Sequence, residues 1–278
     1  MNGACAEQAR NSKSDPLRSR DSAAKRRKNP KAKGRKRKSP ENSPEFVESL
    51  SADKGTKANQ GRVRAVTFDV GGTLIECWPS VGHVYAEGAA RHGHKLLSPA
   101  VLNGRFKNAW GRFKDFAHTR ADWSALVDET FRGLVEPLPS QTFFQALFDR
   151  FSQPDAWRIF EDVVPVLKAL RARGLSLGII SNWDDRLRPL LRRLDLDQYF
   201  QAIIVSCEAG ARKPSRQIFE SACAALGTAP AKILHVGDNL EMDIEGARAA
   251  GLQALWLRRE TRNGLGKAIR SLSELDKI

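Results

Sequence analysis

No run of eighteen apolar residues occurs anywhere in this 278-residue chain, so no membrane-spanning helix is predicted. The N-terminus has no apolar h-region, so no secretory signal is expected. Cysteine is scarce. Cys5, Cys77, Cys207 and Cys223 are scattered and form no CxxC, which argues against a zinc site or a disulfide framework and for a reduced, cytoplasmic setting. Aromatic residues are missing before Phe46, and acidic residues are thin there too. Residues 1–62 carry 17 Lys/Arg against 7 Asp/Glu, a charge of +10, whereas the rest of the chain carries 29 against 25, only +4.

The first sixty residues therefore have too little apolar surface to offset the entropy of ordering, and residues 1–61 are expected to be a disordered basic tail. Its "KRRKNPKAKGRKRK" (25–38) places ten basic residues in fourteen. Such a run adds solubility and weak, non-specific nucleic-acid or polyanion affinity, and in a eukaryote it would serve as a nuclear signal. Without interleaved aromatics it offers no stacking platform for reading bases.

From residue 63 the pattern becomes that of a folded domain. "VRAVTFDV" (63–70) reads as a strand. A long stretch without strand character follows, with helices expected over 81–93, 98–116, 121–135 and 140–151. Ser98 is a candidate N-cap with Pro99 in the first helical position. Phe106, Trp110 and Phe113 recur at helical spacing, as the core of a helical bundle would. After Pro154 helices and apolar strands alternate: helix 161–174, strand 175–181, helix 184–196 bent or restarted at Pro189, and strand 202–206. Helix 214–227, strand 232–237, helix 241–251 and strand 252–257 complete the series. Apolar strands without alternation, separated by helices, imply a doubly wound, mainly parallel α/β sheet of Rossmann type covered on both faces. The expected division is a core of 62–78 and 157–278 with an inserted α-helical cap of 79–156, hinged near 77–80 and 154–160.

Right-handed crossovers bring all the strand C-terminal ends to one edge, where ligands bind in open α/β sheets. The first strand delivers Asp69, the second Ser181 and Asn182, and the fourth Asp238, with Asp243 close behind. Lys213 in "RKPS" follows the third. Carboxylates that can hold Mg²⁺, together with a hydroxyl and a cation for phosphate oxygens, suit phosphoryl transfer.

In this order, "DVGGT", "IISN", "RKPS" and "GDNLEMD" resemble the four motifs of the haloacid dehalogenase superfamily over about 63–257. The helical insertion is similar to that family's C1-type cap. "YAEGAARHG", "DRFSQPDAWRIFEDVVPVL" and "IISNWDDRL" look like its branch of rhythmically-expressed-gene-2-like proteins. The resemblance implies Asp69 as the nucleophile that forms an aspartyl-phosphate. It implies Mg²⁺ held by Asp69, the Gly71 carbonyl and Asp238, with Asp243 as a further or supporting carboxylate. Ser181 and the Asn182 amide would hold the phosphate of a small phosphorylated metabolite, and Lys213 would neutralise developing charge. Gly71 and Gly72 can add backbone N–H groups as a small nest.

One residue departs from the family's phosphatases. Where they have a second aspartate, two positions after the nucleophile, this chain has Gly71. That aspartate protonates the leaving oxygen and later activates water, assistance worth about 10²–10⁴-fold. Three readings follow. The first is a phosphatase for good leaving groups, or one whose acid is displaced to Glu76, His83, Asp184 or Asp185. The second is a hydrolase of C–P or C–halogen bonds. A phosphonatase-like enzyme would need a cap lysine such as Lys95, Lys107 or Lys114, and the dehalogenases lack the "GDxxxxD" pattern kept here. The third is a non-catalytic binding protein that uses the pocket or the basic tail.

Overall fold

The structure is a computed structural model, and it describes residues 62–113, 115–259 and 268–277. The expectations for the basic tail, and for Lys114, fall outside these residues.

Six short strands form one sheet. β1 (Ala65–Phe68) is its centre. β2 (Ile75–Cys77) stands apart from it. Four helices follow: α1 (Val81–Arg91), α2 (Pro99–Trp110), α3 (Arg120–Phe131) and α4 (Phe144–Arg150). β3 (Trp157–Ile159) then pairs antiparallel with β2, matching Glu76 to Arg158. The alternating half continues with α5 (Val163–Ala172), β4 (Ser176–Ser181), α6 (Leu187–Arg193), β5 (Ala202–Val205) and α7 (Arg216–Ala225). It ends with β6 (Ile233–Gly237), a π-wound turn (Leu240–Glu245) running into α8 (Gly246–Ala249), β7 (Gln253–Leu257) and β8 (Ala268–Ile269). The order across the sheet is β5-β4-β1-β6-β7-β8, parallel throughout.

Burial explains why these segments are strands. Every residue of β1 and β6 is buried, because helices cover both faces and leave no side for polar residues. On one face Phe68, Leu177, Ile179 and Val236 pack with Val166, Leu167 and Leu170 of α5 and Leu187, Leu190 and Leu191 of α6. On the other, Ala65, Ile180 and Ile233 pack with Ile218, Phe219 and Ala222 of α7 and Ala247 of α8. Each fully buried Leu, Ile or Phe contributes about 1.5–3 kcal/mol of apolar transfer. The helices α1–α4 have a separate core of Tyr85, Leu102, Phe131, Phe143 and Leu147.

Register fixes what the sheet edge presents. Phe68 is paired with Ile179 on one side and Val236 on the other. One residue on, Asp69 leaves the sheet level with Ile180 and Gly237, and Ser181 and Asp238 follow immediately.

Several sequence expectations are refined. Pro189 lies in the first turn of α6 and neither bends nor restarts it, because a first-turn residue needs no backbone N–H. Ser98 makes no side-chain cap, and Pro99 alone starts α2. Thr119 and Asp122 instead form a reciprocal capping box at α3. Among the described residues no helix is long and apolar enough to cross a membrane.

Candidate active site

Asp69 projects from the end of β1 and is anchored through its amide to the Val236 carbonyl at 3.0 Å. Its Oδ1 accepts from Lys213 Nζ at 2.7 Å and from Ser181 Oγ at 3.2 Å. Lys213, only 2% exposed, also donates to Asp243 Oδ1 at 2.6 Å. The ammonium thus lies between two buried carboxylates. Asn182 fixes the loop that carries it: its side chain accepts from the Lys213 amide at 2.8 Å and donates to the Lys213 carbonyl at 3.0 Å.

Asp243 is held from every side. Besides Lys213, it takes the Asn239 amide on Oδ2 at 2.9 Å and His235 Nε2 on Oδ1 at 3.3 Å. His235, buried in β6, reaches Thr67 Oγ1 through Nδ1 at 3.0 Å. A neutral imidazole that donates to Asp243 accepts from the Thr67 hydroxyl, so β1 and β6 are tied together beneath the site. A Cβ on Gly237 would collide with the Asp243 carboxylate, so a glycine is needed there for the close approach. Asp238 is the exposed acid of the group. One carboxylate oxygen from each of Asp69, Asp238 and Asp243 lies within 4.8 Å of the others. An all-oxygen set of this kind could hold a hard divalent cation, with Asp69 and Asp238 the freer donors.

The electrostatics follow from the crowding. Burial pushes the Asp69 carboxyl above its ordinary value, Lys213 pulls it back, and Asp243 pushes it further up. Desolvation, then the neighbouring Asp69 and Asp243 charges, raise Asp238 to about 7. Burial would also raise Asp243, but Lys213 and His235 outweigh it and hold that carboxyl below the usual range. Burial would depress the Lys213 ammonium, yet Asp243 and Asp69 outweigh it and keep it above its ordinary value. The site therefore holds one buried cation among three acids, a surplus of negative charge.

The predicted residues do not all meet at one point. Asp69, Gly71, Ser181, Asn182, Lys213, Asp238 and Asp243 line a single cavity of about 500 Å³. Gly72 does not act as a phosphate nest: its amide donates to the Ile75 carbonyl at 2.8 Å. Its φ of +76° and the nearness of Asp238 to any Cβ account for a glycine there. The candidate substitute acids are engaged elsewhere. Glu76 pairs with Arg158, His83 bonds Ser80, and Asp184 is held by Arg186 and by the Trp123 indole at 2.7 Å. Asp185 is exposed, and none of the four lines the cavity. Lys95 and Lys107 are exposed and likewise absent from its lining, so neither is positioned as a Schiff-base lysine.

The aromatic expectation is also widened. Phe106 and Phe113 are half-buried and pack against the helical core as expected, Trp110 is 41% exposed, and all three also line the cavity. They are joined by Trp123, Trp157 and Trp183, whose roles were not legible beforehand. The signal for Trp183 was its place directly after "IISN".

Comparison with known proteins identifies the family. The family model for haloacid dehalogenase-like hydrolases matches residues 63–251. Haloacid dehalogenase-like hydrolase domain-containing protein 3 of Bos taurus is 31% identical over 208 residues, 71% of this chain and 82% of that protein. Glyceraldehyde 3-phosphate phosphatase of Methanopyrus kandleri is 35% identical over 106 residues, 36% of this chain and 43% of that protein. The crystal structure of a HAD phosphatase from Thermococcus onnurineus is similar with a TM-score of 0.58 at 28% identity, covering 77% of this chain and 97% of that one. The chain belongs to the haloacid dehalogenase-like hydrolase family.

Proposed function

We propose that this hydrolase is a Mg²⁺-dependent phosphohydrolase working through an aspartyl-phosphate on Asp69, with activity confined to good leaving groups. The observation that carries the reading is the contact set of Asp69: a buried lysine and a serine hydroxyl on one oxygen, beside two further carboxylates. Asp69 and Asp238 would hold the metal with the Gly71 carbonyl, and Asp243 would support them through Lys213. Bound there, Mg²⁺ would offset the surplus negative charge and let a phosphate dianion approach a carboxylate.

The chain's own residues do the rest. Lys213 keeps Asp69 ionised and, with Ser181 and the Asn182 amide, holds the phosphate oxygens that gain charge in the transition state. Asp69 attacks phosphorus, and the leaving oxygen departs with its electron pair. Water then cleaves the aspartyl-phosphate. No carboxyl stands at position 71 to give or take a proton in either step. Helices α1–α4 are read as the cap (79–156) over this reaction.

The test is phosphate release from 4-nitrophenyl phosphate by the full chain. Activity should require Mg²⁺, vanish in EDTA and fall at least 10³-fold in Asp69→Asn. Activity that survives either treatment would overturn the mechanism.

A further inference from the structure

The cavity above Asp69 has two chemically different ends. At the sheet edge lie Asp69, Ser181, Lys213 and Asp238. The remainder is walled largely by rings, among them Trp110, Phe113, Trp123, Phe148, Trp157 and Trp183. The rings touch in series: Trp110 stacks on Trp123 with centroids 5.8 Å apart, Phe106, Tyr85 and Phe151 lead from Trp110 to Trp157, and Trp157 meets Trp183 at 5.2 Å with the planes tilted by 51°. Their polar atoms are already engaged in two cases. The Trp123 indole donates to Asp184, and the Trp157 indole donates to the Phe151 carbonyl at 2.9 Å.

Among the described residues, the arginines of this wall already have carboxylate partners. Arg186 is in the lining, but its guanidinium is held by Asp184 and lies over the Phe148 ring at 3.5 Å. Arg212, also in the lining, pairs with the exposed Asp115 at 3.3 Å. His118 packs edge-on against Phe116 at 5.0 Å and Trp123 at 5.9 Å. Burial holds its imidazole down to about 4, so it is an uncharged part of the wall at neutral pH. Apart from His118 Nδ1, which has no hydrogen-bond partner among the described residues, the ring-lined part of the cavity offers few partners for the remaining polar groups of a sugar phosphate or a phosphorylated carboxylic acid.

A second, independent observation concerns the reacting bond. Outside the Asp69–Asp238–Asp243 group, the only carboxyl lining the cavity among the described residues is Glu241, which is exposed. Gly71 supplies none. A phenol has a pKa near 10, as in tyrosine, whereas an alcohol resembles water at about 15.7. An aryloxide can therefore leave as an anion where an alkoxide needs a proton delivered.

From these two observations we infer that the substrates are aryl phosphate monoesters, whose ring is held by the Trp110–Trp123–Trp157–Trp183 wall while Asp69 attacks phosphorus. The inference rests on the phosphohydrolase reading above and narrows it. An Asp69 oxygen forms a bond to phosphorus as the P–O(aryl) bond breaks. The electron pair leaves on the phenolate oxygen, which takes its proton from solvent. Water then attacks phosphorus, breaks the bond to Asp69, loses a proton to solvent and leaves inorganic phosphate.

The experiment compares kcat/KM of the full chain with Mg²⁺ on 1-naphthyl phosphate, acetyl phosphate and glycerol 3-phosphate. Acetyl phosphate has a good leaving group but no ring, so it separates leaving-group chemistry from recognition. Naphthyl phosphate should exceed acetyl phosphate by at least tenfold and glycerol 3-phosphate by at least 10². Trp110→Ala, at an exposed position, should lower the naphthyl-to-acetyl ratio about tenfold, and Trp110→Phe should restore most of it. Acetyl phosphate turned over as well as naphthyl phosphate would overturn the aryl inference and leave the phosphohydrolase reading standing. Glycerol 3-phosphate matching naphthyl phosphate would overturn it too, by revealing another proton donor. Inactivity on all three would bring down both readings.

Discussion

Returning an aspartate to position 71 tests the reasoning most directly. Gly71, unlike Gly72, has no left-handed φ, so its backbone accepts any L-residue. A Cβ there would sit 3.5 Å from Cζ3 of Trp183, an ordinary van der Waals contact, and the carboxyl beyond it would face the cavity that Gly71 lines. Gly71→Asp should therefore fold, with a stability change within about 1–2 kcal/mol. The neighbouring Asp69 and Asp238 carboxylates would raise the new group's pKa and favour the protonated form that an acid catalyst needs. General acid–base assistance of about 10²–10⁴-fold corresponds to about 3–5 kcal/mol of barrier. On glycerol 3-phosphate the variant should gain at least 10² in kcat/KM, measured by phosphate release with Mg²⁺. On an aryl phosphate the gain in kcat/KM should be below about tenfold, because the phenolate already leaves unaided. Gly71→Asn is the control, equal in size but unable to donate that proton. A folded Gly71→Asp that gains less than twofold on the alkyl ester, or a Gly71→Asn that gains equally, would refute the argument.

Three more outcomes are expected. Lys213→Met leaves Asp69 and Asp243 buried without their shared cation, so it should lose about 3–5 kcal/mol of stability in chemical denaturation at pH 7, and an unchanged midpoint would contradict the burial argument. The folded state resists protonation of His118 and the unfolded chain does not, so this group's contribution is intact above about pH 6.5 and is lost as pH falls toward about 4. His118→Asn, which tolerates the φ of +62°, should flatten the stability–pH curve over that window by up to about 3 kcal/mol, and parallel curves for the two proteins would count against it. Trp123→Phe deletes the indole donor to buried Asp184 and should lower stability by about 1–2 kcal/mol, read by thermal unfolding against Asp184→Asn as the partner in a double-mutant cycle.

The strand tips were legible because a parallel sheet covered on both faces writes itself as short apolar runs. "AVTF", "SLGIIS" and "ILHVG" are such runs, each followed at once by a residue beyond the sheet: Asp69, Asn182 and Asp238. Asp69, Ser181, Lys213 and Asp238 could be lined up from topology alone. β2 and β3 could not, since each has only three residues and its partner lies about eighty positions away, too far for any local signal. The amide of Gly72 looked free because its acceptor, Ile75, is set by how the loop folds back. Helical periodicity placed Phe106, Trp110 and Phe113 on one face, but a face can border a core or a cavity, and periodicity does not tell the two apart. The same limit hid His235, one apolar-strand position among others until the neighbouring Asp243 carboxylate gives it a partner.

The two short strands β2 and β3 carry the chain into and out of the helical insert, and they are bonded to each other. Ile75 faces Ile159 and Cys77 faces Trp157, with Glu76 and Arg158 paired across the ribbon and Arg158 laid over the Trp78 ring at 3.6 Å. Sliding one crossing past the other would break this ladder, whereas twisting leaves it whole, and two-stranded ribbons twist readily. A twist of the ribbon would turn α1–α4 relative to the sheet while keeping the ladder between β2 and β3. Trp157 belongs both to that ribbon and to the cavity wall, so any such turn would move the wall relative to Asp69.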